Sequence, residues 1–127
     1  MRIDLIAPPY SGHLHPILAI AQQLTAQHEV CVISTPAAQA RIEACGLTAA
    51  GVLDAHADRL LLSIANPPHA VGHNPVRLRR QLHSALGLMA QLGEALQLRW
   101  RERRPDLVIV DFTLPSAGLA AQAMCIA

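Results

Sequence analysis

Lysine is absent from this chain, aromatic residues are nearly so, and neither sign of charge dominates. All ten basic side chains are arginine, a compositional bias without chemical meaning, and nine acids leave a net charge near +1. That balance argues against a nucleic-acid binder and against a polybasic membrane-surface protein. With one Trp, one Tyr and one Phe in 127 residues, the core must come from Leu, Ala, Ile and Val, which suits helices packed on a sheet. The three cysteines, Cys31, Cys45 and Cys125, are odd in number and show no C-x-x-C spacing, so neither a disulfide framework nor a zinc site is indicated. Their apolar surroundings predict buried thiols in a reducing cytoplasm.

Long apolar runs are missing as well. The uncharged stretch from Leu5 to His28 is interrupted by Pro8, Pro9, Gly12, His13, His15 and Pro16, and falls short of the roughly 20 mainly apolar residues a membrane span requires. Met1-Arg2-Ile3-Asp4 does not open a secretory signal, so a cytoplasmic location is expected. There is no G-x-G-x-x-G and no G-K-[ST], which removes the usual phosphate cradles. Neither Ser11 nor Ser116 has a nucleophile-elbow context. No internal repeat or low-complexity tract is present.

What is there alternates between two patterns. Arg2 to Ala7 reads as a strand covered on both faces. Leu14, Ile17, Leu18, Ala21 and Leu24 recur at helical steps, placing a helix over Ile17 to Gln27 after the loop Pro8 to Pro16. Glu29 to Ser34 is a second buried strand. Thr35-Pro36 then caps and opens a short helix that ends at Cys45, before Gly46. Leu47 to Leu53 reads as a weak third strand and Asp54 to Asn74 as a surface excursion. Asn74-Pro75 opens a long helix with the apolar stripe Leu78, Leu82, Leu86, Met89, Leu92, Leu96 and Trp100. Arg99, Arg101, Arg103 and Arg104 crowd its last turn, where positive charge complements the helix dipole. Leu107 to Val110 is a fourth strand, Asp111-Phe112-Thr113 its exit, and Ser116 to Met124 a further helix. Ile126-Ala127 reads as the opening of a fifth strand, so the chain is expected to be part of something longer.

Strands alternating with helices predict an α/β fold, a doubly wound parallel sheet with right-handed crossovers. In the order 3-2-1-4-5, strands one and four are neighbours whose crossovers leave in opposite directions, and ligands bind in the crevice between their carboxyl ends. His13 follows strand one and Asp111 follows strand four. A carboxylate that accepts the proton of one imidazole nitrogen fixes the tautomer and frees the other nitrogen to take a proton from a hydroxyl. Histidine, with a reference pKa near 6.5, suits that task around neutral pH. Each residue also has a plainer reading: His13 as a helix-cap or core-edge histidine, and Asp111 as the cap of the following helix.

Gly12-His13-Leu14-His15-Pro16-Ile17-Leu18, continuing to Leu24, with His28-Glu29-Val30 and Ser34-Thr35, resembles the N-terminal domain of the family 1 nucleotide-sugar-dependent glycosyltransferases of GT-B fold. Pro105-Asp106-Leu107-Val108-Ile109-Val110-Asp111, followed by an alanine-rich helix and Cys125-Ile126-Ala127, resembles that family's second landmark. The likeness covers the ends of the chain well and the middle poorly. It implies that residues 1–127 are an N-terminal, acceptor-binding, Rossmann-like domain, the first half of a GT-B architecture. His13 would be the base that deprotonates the acceptor hydroxyl and Asp111 its partner. Gly12 would allow close backbone approach, and Ser11, Gly12 and Phe112 would contact substrate. A nucleoside-diphosphate sugar would be the co-substrate, held mostly by a C-terminal domain absent here. No cofactor or metal is implied for this segment, which alone is expected to be inactive as a hexosyltransferase.

Two other readings stand beside this one. The chain could be a noncatalytic half-domain that binds a partner chain carrying the nucleotide site. Alternatively, His13-Leu14-His15 could be an H-x-H metal pair of a hydrolase, needing further ligands from later strands. His15 itself reads first as a solvent-facing residue, as do His56, His69, His73 and His83. Arg77, Arg79 and Arg80 read as a solvated face. Leu60-Leu61-Leu62 with Ile64 either lines an acceptor pocket or packs as a short helix.

Overall fold

The computed structural model describes residues 1–52 and 75–127. The expected cap at Asn74, the excursion from Asp54, the Leu60 to Ile64 segment and His56, His69 and His73 lie outside the described residues. The remaining elements are β1 (Arg2–Ile6), α1 (Ser11–Leu24), β2 (Glu29–Ser34), α2 (Pro36–Ala44), β3 (Thr48–Gly51), α3 (Pro75–Glu102), β4 (Leu107–Val110) and α4 (Pro115–Ala123). The strands form one sheet in the order β3-β2-β1-β4, with every pairing parallel. Strand order reverses between β1 and β4, as the doubly wound reading requires. Ala127 accepts a hydrogen bond from the Val108 backbone at 2.7 Å, so the last residue lies along the free edge of β4.

The two-residue period of each strand divides the core into two layers. Ile3, Leu5, Val30 and Val32 face α1 and α2, while Ile6, Cys31 and Ile33 face α3 and α4. Gly46, at φ +73°, takes the left-handed position just past α2, where glycine avoids the Cβ penalty.

Three expectations change in detail. Helix α1 begins at Ser11, six residues earlier than the expected Ile17, so the expected loop residues Ser11 to Pro16 form its first turns. Pro16, the sixth helical residue, has no N–H to give the Gly12 carbonyl, so α1 runs through it one helical bond short. The stripe on α3 is buried only in its second half. Leu92, Leu96 and Trp100 are covered and Met89 is half-buried, whereas Leu78, Leu82 and Leu86 are at least half exposed. A 28-residue helix is about 42 Å long, but strands of this length span under about 20 Å. The first turns of α3 thus run past the carboxyl edge of the sheet. Finally, Cys31 alone is buried. Cys45 caps α2 and is half-buried, and Cys125, in the turn after α4, is exposed.

The lone tryptophan anchors the α3 layer. Trp100 is 1% exposed, and its indole Nε1 donates to Asp4 Oδ2 at 2.9 Å. Burial pushes the Asp4 carboxyl above its ordinary 3.8, a rise that the Trp100 bond and then Arg99 and Arg103 only partly offset. The folded state therefore holds this proton more tightly than the unfolded chain, and stability falls as pH rises between the two values. Asp4→Asn keeps an oxygen for Trp100 and removes that dependence. The stability of the variant relative to the natural sequence should climb with pH above about 4 and be level below it. Urea unfolding across a pH series reads this directly, and a difference that shrinks with pH would contradict it.

Candidate active site

The backbone at the carboxyl edge is pinned before any side chain is considered. Ala7 N–H donates to the Ile33 carbonyl at 3.2 Å, and Ser34 Oγ donates to the Ala7 carbonyl at 2.7 Å. The Asp111 N–H donates to the Ile6 carbonyl at 2.9 Å, holding the exit of β4 against the end of β1. From Ala7 the chain crosses Pro8-Pro9-Tyr10 and turns into α1, where the N–H groups of His13 and Leu14 both bond the Tyr10 carbonyl at 3.0 and 2.8 Å. His13 is the third residue of that helix and faces back toward β4.

His13 Nδ1 lies 3.0 Å from Asp111 Oδ2 and 3.2 Å from Oδ1, across 98 positions of sequence. The Asp111 side chain is nine-tenths buried, and that of His13 is about one-third exposed. An ionised carboxylate only accepts, so Nδ1 carries the proton and the neutral ring keeps its lone pair on Nε2. Burial pushes the Asp111 carboxyl up, but the Thr113 hydroxyl, the Thr113 N–H and then His13 outweigh it and hold the group below its ordinary 3.8. The carboxylate is therefore anionic wherever a histidine base is useful.

The other expected site residues gather at the same edge. The Phe112 ring, 87% exposed, stands 5.8 Å from the His13 ring, and Tyr10 meets the imidazole edge-on at 6.3 Å. Ser11 and Gly12 are the exposed first residues of α1. The Ser11 hydroxyl receives the Arg41 guanidinium at 3.4 Å. Beyond its own stretch of helix, a Cβ on Gly12 would meet nothing within 4 Å, so packing does not require glycine there. At the same carboxyl edge a small, mainly apolar recess lies between the ends of β1 and β2 and helix α3, lined by Ile6, Pro8, Leu92 and Leu114 with Ser34 and Thr35.

Asp111 does not cap α4, whose N-cap is Leu114 without a side-chain cap; its Oδ1 instead accepts from Thr113 within the exit turn. His15, exposed on α1, is two residues beyond His13 and so on a different face of the helix, which separates the H-x-H pair. Among the described residues no group of three His, Cys, Asp or Glu side chains converges, and no helix is long and apolar enough to cross a membrane. Sequence reading missed Thr113, although a Thr two residues after an Asp at a strand exit is the pattern of a carboxylate-capped turn.

No family model and no curated protein matches the sequence. Solved structures do match the fold. The chain superposes on glycosyltransferase VinC, solved in complex with dTDP, with a TM-score of 0.69 at 24% identity, covering 99% of this chain and 33% of that one. For the glycosyltransferase of kitacinnamycin the values are 0.74 and 23%, covering 98% and 28%. For SsfS6 of Streptomyces sp. SF2575, complexed with thymidine diphosphate, they are 0.74 and 20%, covering 99% and 36%. The fold is thus a Rossmann-like α/β domain that matches the N-terminal part of GT-B glycosyltransferases. The chain spans about a third of the length of the solved chains it matches.

Proposed function

We propose that this chain is the acceptor-binding part of an inverting, nucleotide-sugar-dependent glycosyltransferase of family 1, with the nucleotide site supplied by a second domain or chain. The contact of His13 with Asp111 at the switch point of the sheet carries this reading. The two groups are far apart in sequence, and the geometry leaves one imidazole nitrogen free to act as a base. His13 Nε2 takes the proton of an acceptor hydroxyl while Asp111 stabilises the imidazolium that forms. The freed oxygen attacks the anomeric carbon of the sugar. The bond from that carbon to the diphosphate breaks, its electron pair leaves with the nucleoside diphosphate, and the configuration inverts because attack and departure occur on opposite faces.

Apolar side chains at the same edge of the sheet, Pro8, Leu88 and Leu114 among them, favour a hydrophobic small molecule as acceptor, for such surfaces reward apolar burial while a few polar groups fix orientation. Exposed Phe112 offers a flat face for the acceptor next to the base, and the open space at Gly12 lets a substrate approach the backbone. The test is an assay of the full-length protein with nucleoside-diphosphate sugars and hydrophobic phenols or alcohols. Acceptor-dependent release of nucleoside diphosphate, with the product's anomeric configuration opposite to the donor's, is expected. A product of retained configuration would refute the single-displacement step.

A further inference from the structure

We propose that Thr113 is a positioning residue for the His13–Asp111 pair, holding the carboxylate in the one orientation that faces the imidazole. This rests on the reading of His13 as base. Asp111 sits on a short exit turn, and its side chain has free rotation about two bonds unless something fixes it. Its backbone is fixed by the Ile6 carbonyl and by the Leu114 N–H, which donates to the Asp111 carbonyl at 2.9 Å. Neither contact restrains the carboxylate. Thr113 does, because its Oγ1 donates to Oδ1 at 2.6 Å and its N–H to the same oxygen at 2.9 Å. With Oδ1 held by two donors, the carboxylate plane is set, and Oδ2 is presented to Nδ1.

The same two bonds act on charge. Hydrogen bonds to an ionised acceptor are stronger than neutral ones, so they keep the carboxylate anionic while the proton resides on the ring. Among the described residues, His13 on α1 is the titratable group acting on Asp111. The other titratable side chain against His13 is the phenol of Tyr10, whose type titrates near 10. Losing the Thr113 hydroxyl makes the carboxylate more basic, which favours protonation at the dyad.

The experiment compares Thr113→Val, Thr113→Ala and Thr113→Ser in the full-length protein over a pH series, with His13→Ala in the same assay. Val and Ala should lower kcat/KM about tenfold to a hundredfold, mostly in kcat, and move the acidic limb of the profile to higher pH. Ser, which restores the hydroxyl, should return both to near the natural values. A merely structural role would lower activity without moving the limb. Val and Ala variants with an unmoved acidic limb, or a Ser variant as impaired as Val, would overturn the proposal. If His13→Ala transfers sugar at the natural rate, the reading of the dyad fails. If His13→Ala is inactive while Val and Ala behave as the natural sequence, only the role of Thr113 fails.

Discussion

His13→Ala is expected to lower kcat/KM for glycosyl transfer by about a thousandfold, within the range set by removal of a general base. The loss should fall on kcat, because the proton is taken in the transition state. Nucleotide affinity should change little, since the nucleotide site is proposed to lie on another domain or chain. The fold should also survive. The His13 side chain is about one-third exposed, and Asp111 keeps both Thr113 bonds when the imidazole is gone. Kinetics together with a nucleotide titration decide the point. Parallel loss of activity and nucleotide binding would assign His13 to folding instead.

The largest effect on stability is expected at Trp100. Truncation to alanine removes the largest buried side chain, which costs about 3 to 5 kcal/mol in a packed core. It also strands the buried Asp4 carboxylate, at about 1 to 3 kcal/mol more. Domains are stable by only about 5 to 15 kcal/mol, so Trp100→Ala should lose a large share of the fold's stability. Trp100→Phe separates the two contributions, because it refills most of the volume but leaves Asp4 without its donor. It should cost about 2 kcal/mol, and Asp4→Asn in that background should recover part of the loss. Urea unfolding followed by circular dichroism measures each step. A Trp100→Ala variant within 1 kcal/mol of the natural protein would show that α3 is not anchored as described.

Much of this architecture was legible because it depends on local signals. Apolar runs bounded by Pro8-Pro9 and by Thr35-Pro36 gave β1 and β2, and Gly46 ended α2 where the left-handed φ now appears. The meeting of His13 with Asp111 was legible for a topological reason: parallel strands with right-handed crossovers fix which strand ends become neighbours. What escaped depends on distances that periodicity does not encode. The spacing of Leu78, Leu82 and Leu86 says that they share a helix face, not that the sheet beneath them has already ended. Asp4 gives no sign in a strand of apolar neighbours that it will meet Trp100 across 96 positions. The early start of α1 is hidden by Pro16, which reads as a helix boundary although the helix runs on through it. Thr113 reads as loop because its role appears only once Asp111 has a partner to be aimed at.

The measurement closest to the centre of this picture is a double-mutant cycle in the full-length protein: His13→Ala, Asp111→Asn and the two combined, each assayed for kcat/KM. An imidazole and a carboxylate working as one unit lose their function together, so the double variant should be no slower than His13→Ala alone. Losses that multiply, each substitution costing its full factor in the presence of the other, would mean that the two side chains act independently despite their 3.0 Å contact.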